Sequence, residues 1–234
     1  MGYCGLTGAA TRAVAAGAVA GDVVADLILE AKMDRKAHWE NVYGSKAEAE
    51  VSWYQPDPEL SMKLILEVCP PQGKVIDVGG GASLLVDRLL AEGFVQPAVL
   101  DISGTALAKA KQRLGAKAQR VRWLVADVTE TTDIGHFDVW HDRAVFHFLT
   151  TPEERRGYVR LASKSLIRGG HLILATFALD GPARCSNLEV CRYDAKSALA
   201  ELGSAFEIMK DLRETHLTPN GKTQQFFYGM FRRV

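Results

Sequence analysis

The chain has little cysteine and no surplus of charge of either sign, and it lacks an uninterrupted apolar run long enough to span a bilayer. Each shortage closes off a class of function. The four cysteines, Cys4, Cys69, Cys185 and Cys191, include no C-x-x-C pair; no zinc or dithiol redox site is legible, reduced thiols are expected, and no metal is assigned. Lys plus Arg equal Asp plus Glu at 28 each. That balance removes the global field that would hold a nucleic-acid backbone or an anionic membrane, so both partners are disfavoured. Asp22, Asp26 and Glu30 interrupt the Ala- and Val-rich opening segment, and no basic stretch precedes an apolar one there, so neither a membrane span nor a secretory leader is expected. Leu6 stands where N-myristoylation at Gly2 would need Ser or Thr.

What is present has the balance of a globular protein, 47% hydrophobic and 24% charged over 234 residues, with room for one α/β core. Composition changes near Asp34. Residues 1–33 are expected to be an extension, poorly ordered or helical, and 34–234 a single domain. A cytoplasmic location is expected; mitochondrial import is the alternative, since the first 21 residues carry Arg12 and no acid.

The domain is organised around Val75-Ile-Asp-Val-Gly-Gly-Gly-Ala-Ser-Leu-Leu-Val-Asp-Arg-Leu-Leu90. Val75, Ile76 and Val78 suit a strand buried on both faces. Gly79, Gly80 and Gly81 allow a sharp turn and close approach to a ligand, and the leucines after them recur at helical spacing. Asp77 precedes the glycines. Ala98-Val-Leu-Asp-Ile102 is a second strand ending in Asp101, 24 residues after Asp77, where a carboxylate can accept from both hydroxyls of a ribose. Leu84 stands where a dinucleotide fingerprint wants glycine, which counts against NAD.

Upstream, Trp39 and Tyr43 share a helical face over Asp34–Tyr43, Trp53 and Tyr54 lie in a proline-bounded loop, and Glu59–Val68 reads as an apolar-striped helix. Downstream, helices are expected over Thr105–Leu114, from Pro152 and over Ala195–Leu202, with strands at Val121–Val125 and Phe137–Trp140. Residues 176–193 read as a long polar loop, and Phe206–Leu217 with Gln224–Arg232 as a hairpin about Pro219-Asn-Gly221.

With Asp77-x-Gly79-x-Gly81, Asp101, Val125-Ala-Asp127-Val128, Phe137-Asp-Val-Trp140 and Leu166-Ile-Arg-Gly-Gly-His-Leu-Ile-Leu174 in this order, the chain resembles the class I S-adenosylmethionine-dependent methyltransferases. The resemblance implies an α/β fold: a doubly wound, mostly parallel seven-stranded sheet with a C-terminal antiparallel hairpin and helices on both faces. It implies S-adenosylmethionine held by Asp77, Gly79, Gly80, Gly81, Asp101, Ile102, Asp127 and Val128 under a lid of Trp39, Tyr43 and Trp53. The expected activity is methyl transfer to a small molecule, as a monomer or homodimer. A protein lysine methyltransferase and a non-catalytic cofactor-binding protein are the alternatives. Ligands in doubly wound sheets sit beyond the carboxyl ends of the strands, so His141-Asp142-Arg143 is expected to face the methyl, with His141, His147 and Asp142 as candidate bases, His141 first. Tyr54, Arg143, Arg184, Arg192, Tyr193 and His216 are candidate substrate contacts; convergence of Arg184 and Arg192 would select an anion.

Overall fold

The computed structural model describes residues 35–234; the extension over 1–33 and the Asp34 cap lie outside the described residues. A helix over residues 35–45, α1, runs two residues past its expected end. It is followed by α2 (Glu59–Val68), β1 (Val75–Val78), α3 (Leu85–Ala91), β2 (Ala98–Asp101), α4 (Gly104–Leu114), β3 (Arg122–Val125) and β4 (Phe137–Arg143). Then come α5 (Pro152–Ser165), β5 (Leu166–Phe177), the short strands β6 (Arg184–Cys185) and β7 (Leu188–Glu189), α6 (Ala195–Leu202), β8 (Phe206–Leu217) and β9 (Thr223–Arg233). The main sheet has seven strands in the order β3-β2-β1-β4-β5-β9-β8. The first five pair in parallel, and β9 runs antiparallel to both β5 and β8.

Strand alternation sorts the apolar residues onto two faces. Ile76, Val78, Leu100, Trp140, Leu172 and Leu174 pack against Tyr158 and Leu161 of α5 and Ala198 and Leu202 of α6. Val75, Val139, Ile173 and Tyr228 pack against Met62 and Ile65 of α2 and Leu85 and Leu89 of α3, while α4 covers Val99 with Leu107 and Leu114. The helix starts have local causes. Thr151 and Glu154 exchange side-chain and backbone hydrogen bonds in a capping box ahead of Pro152, and Asp194 does the same with Ser197. Among the described residues no helix is long and apolar enough to cross a membrane.

Two expectations are corrected. Strand β4 does not stop at Trp140 but continues to Arg143, because β5 pairs with it as far as Arg143 opposite Ala175. His141 and Asp142 are therefore strand residues with opposite directions, not a loop triplet. Residues 176–193 are not an open loop throughout: Arg184–Cys185 and Leu188–Glu189 form a tight hairpin whose corner residues Ser186 and Asn187 have φ of 49° and 64°.

Candidate functional site

A cleft of about 680 Å³ opens over the carboxyl ends of β1, β2 and β4, and a second chamber of about 590 Å³ adjoins it. Tyr43, Trp53, Gly79 and Arg143 line both.

The glycine turn forms the floor. Gly79 and Gly81 adopt φ of 68° and 45°, where a Cβ is disfavoured. A Cβ on Gly79 would lie 1.8 Å from Val145 Cγ2, and one on Gly81 2.7 Å from the Tyr43 hydroxyl. The turn thus fits closely between β4's exit and the α1 roof.

Buried carboxylates flank it. Asp101, 6% exposed, accepts from the Ser103 backbone N–H at 2.8 Å through Oδ1. Burial pushes its acid up to about 7, with the charges of Asp77 and Glu40 adding to the effect. Asp77, 3% exposed, meets His141 Nδ1 through Oδ1 at 2.7 Å, and His141 Nε2 meets Ser61 Oγ of α2 at 2.9 Å. Register explains the contact: Asp77 pairs with His141 across β1 and β4 on the α2 face. Asp127 accepts from the Thr129 N–H and hydroxyl at 2.8 and 2.7 Å through Oδ1, and its Oδ2 lies 3.9 Å from Arg35. Ile102 and Val128 line the cleft beside it.

Aromatic rings make the roof. Trp39 meets Trp53 edge-to-face at 5.6 Å and Phe148 at 5.0 Å, and Tyr43 meets Trp53 at 6.2 Å. Burial, reinforced by Asp101, pushes the Tyr43 phenol far up, so it stays protonated. Helix α1 is pinned by Glu40, which accepts from the Ser103 hydroxyl and the Gly104 and Thr105 N–H groups at the start of α4. Burial raises the Glu40 acid, but those hydrogen bonds outweigh it and hold the group below its ordinary value.

Arg143 joins roof to sheet. Its Nε donates to the Tyr228 hydroxyl at 2.9 Å, Nη1 to the Trp53 carbonyl at 3.0 Å, and Nη2 lies 3.5 Å from Glu214; the guanidinium stacks 4.2 Å from the Phe226 ring centre. His216 holds the same loop through the Ser52 carbonyl at 2.8 Å, and burial, then Arg143, lower its pKa.

The other expected residues are distributed differently. Tyr54 lines the second chamber. Asp142 is fully buried on the opposite sheet face from His141 and accepts from the Val145 and Phe146 N–H groups, shaping the turn that carries Val145 and Phe148; burial raises its acid to about 6. His147 is buried, accepts from the Phe177 N–H at 3.4 Å, and is pushed down to about 3 by burial and then Arg143. Arg184 and Arg192 do not converge: each donates to a nearby carbonyl, of Asn187 and Gly181, at the surface. Tyr193 is core, 5.3 Å from the Phe146 ring.

Arg35, Val145 and Phe148 line the cleft without having been singled out, and Glu40 and Ser61 support it. Only Ser61 left a trace in the sequence, as a polar residue inside the buried stripe of Met62, Leu64 and Ile65.

Comparison with known proteins is consistent with this geometry. A methyltransferase-domain family matches residues 76–172. No curated protein matches the sequence. Among solved structures, that described for the conversion of a disulfide bond into a thioacetal group during echinomycin biosynthesis superposes with a TM-score of 0.68 at 18% identity, covering 85% of this chain and 92% of that one. The Burkholderia thailandensis 1,6-didemethyltoxoflavin-N1-methyltransferase, solved with 1,6-didemethyltoxoflavin and S-adenosylhomocysteine, gives 0.61 at 18% identity over 99% and 93%. The N-methyltransferase NodS of Bradyrhizobium japonicum, solved with S-adenosylhomocysteine, gives 0.58 at 16% identity over 76% and 89%. At these identities the likeness establishes a shared fold.

Proposed function

We infer that this class I S-adenosylmethionine-dependent methyltransferase transfers the methyl group of its cofactor to a small-molecule acceptor. The observation that carries the proposal is the roofed cleft with two buried carboxylates, Asp77 and Asp101, on either side of a glycine turn. A cofactor bearing a sulfonium and an ammonium suits such a site, because positive charge offsets the cost of burying two acids beside one turn, each hydrogen-bonded through one oxygen. When bound, S-adenosylmethionine supplies an electrophilic methyl.

The chain's own residues bind, orient and exclude water. Asp101 accepts from the ribose hydroxyls, with one oxygen already held by Ser103. Ile102 and Val128 offer apolar faces to the adenine, and Asp127 its remaining oxygen to the adenine edge. The second chamber, polar with Asp77, Ser61 and Arg143, takes the amino-acid end. Trp39, Tyr43, Trp53 and Phe148 roof the cleft and would keep water from a bound cofactor, so that the reaction is one of alignment. His141 has both ring nitrogens engaged, Asp142 lies beneath the turn and His147 is held neutral in the core. We therefore assign no general base to the chain; the acceptor brings a nucleophile that is already free, such as an amine or a thiolate. The acceptor of the Burkholderia relative, a small heterocycle by its name, supports a molecule of that size.

The test is transfer of a labelled methyl from S-adenosylmethionine into a desalted lysate and, separately, its small-molecule fraction. Label in extractable small molecules is the expected outcome. Label confined to a protein band would overturn the acceptor class in favour of protein methylation. Trp53→Ala tests the roof. It removes edge-to-face contacts with two rings, and the cofactor KM is expected to rise about five- to tenfold, the worth of one or two aromatic contacts. Its melting temperature should fall only slightly, because Trp53 is half-buried; collapse of the fold would make it a core residue instead.

A further inference from the structure

We propose that His141 is a positioning residue: through its Nδ1–H it turns the Asp77 carboxylate so that the second oxygen faces the chamber that takes the cofactor's ammonium group. The inference rests on the cofactor assignment above and extends it to a residue that does not touch the reacting atoms.

A carboxylate can only accept, so Nδ1 carries the hydrogen in the 2.7 Å contact with Asp77 Oδ1. In the neutral ring Nε2 is then the acceptor for the Ser61 hydroxyl at 2.9 Å. One ring orientation satisfies both. His141 is 2% exposed and Ser61 1%, so water does not compete for either contact. Register supplies the rest: His141 stands opposite Asp77 on the same sheet face, beneath α2. With Oδ1 occupied, Oδ2 is directed to the glycine turn, where a Cβ on Gly80 would come within 2.5 Å of it. That oxygen has no other partner among the hydrogen bonds of the described residues, and the chamber it borders also holds Arg143. A carboxylate acceptor and a guanidinium donor in one polar chamber match the ammonium and carboxylate of an amino-acid end. The acids of the first cleft, Asp101 and Asp127, are the ones assigned above to the ribose and the adenine edge, which leaves Asp77 for the ammonium.

The experiment compares two ligands. S-adenosylhomocysteine carries the amino-acid end, and 5′-methylthioadenosine lacks it. Their dissociation constants are measured by calorimetry on the wild type, His141→Asn, His141→Gln and His141→Leu. Asparagine places an amide N–H where Nδ1 stands, glutamine reaches toward Ser61 only, and leucine does neither. His141→Leu and His141→Gln are expected to lose roughly tenfold or more for S-adenosylhomocysteine, the loss of one charge-assisted hydrogen bond. They should stay within about twofold of wild type for methylthioadenosine, and His141→Asn should restore most of the loss. A role confined to packing would weaken both ligands alike, and that result overturns the proposal, as does an unchanged affinity. If His141→Leu does not fold, the Asn and Gln variants carry the same contrast. Failure of the wild type to bind either ligand would instead overturn the cofactor assignment itself, and a wild type that binds both equally would overturn the role given to the second chamber.

Discussion

Asp101→Asn is expected to make the protein more heat-stable and a poorer binder in a single substitution. The buried acid has its pKa raised to about 7, first by burial and then by the charges of Asp77 and Glu40. In the unfolded chain it titrates near 3.9. A carboxyl raised on folding contributes stability that is fully present below about pH 4 and is lost as pH rises to about 7; beyond that the buried charge is a net cost. At pH 8 asparagine removes that cost and keeps an oxygen for the Ser103 N–H. The gain should be on the order of 1–3 kcal/mol, several degrees in melting temperature for a chain of this size. At pH 5 about a third of it should remain, and below about pH 4 almost none. Binding moves the other way. The ribose hydroxyls donate to the ionised carboxylate, so the wild type must shed a proton to bind below pH 7. Cofactor affinity should rise with pH by up to about tenfold per unit, then level off near 7. Asparagine flattens that slope and costs about 1.5–3 kcal/mol of binding at pH 8. Scanning calorimetry and titration calorimetry at pH 5 and 8 check both signs; an affinity unchanged by the substitution sinks the ribose role of Asp101.

Gly79→Ala is expected to abolish cofactor binding and to destabilise the fold. At a φ of 68° an alanine costs about 1–2 kcal/mol in backbone strain. Its Cβ would also stand 1.8 Å from Val145 Cγ2. The Val145 backbone is held, because Asp142 accepts from the N–H groups of Val145 and Phe146, so relief falls to its side-chain rotamer or to the glycine turn. The overlap adds about 1–3 kcal/mol of overpacking, and whichever side yields distorts the cleft between Gly79 and Val145. Adding Val145→Ala in the same chain removes Cγ2. The double variant should recover the steric share of the lost stability and part of the binding, leaving the backbone strain. Melting temperatures and cofactor titrations of both variants test this; a single variant that binds like the wild type would show that the turn tolerates a side chain and is no cradle.

Local pattern carried much of the architecture. Val75 to Leu90 reads as strand, turn and helix because β-branched residues, glycines and a leucine stripe follow one another without interruption, and Glu59–Val68 is found with its expected ends. Asp77 and Asp101 were legible because the strand ends of a doubly wound sheet put carboxylates at a ligand edge. The terminal hairpin was legible from alternation about Asn220-Gly221.

Sequence alone thus determined the glycine turn and the acids around it, as properties of neighbours along the chain, and the fold class through the resemblance that its motifs carry. Tertiary structure decided what surrounds them. How far β4 extends depends on β5 pairing beside it, and that extension turns His141 toward Asp77 and Asp142 away from it. The link from Asp77 through His141 to Ser61 spans residues 64 and 80 positions apart. Glu40 reaches across 64 positions to pin α1 on α4, and Phe148 meets Trp39 only once that helix is docked. Arg184 and Arg192, close in sequence, are kept from meeting by separate backbone carbonyls. Side-chain direction in a strand has a period of two, and contacts between distant segments are set by register and docking; neither is written in the spacing of residues along the chain.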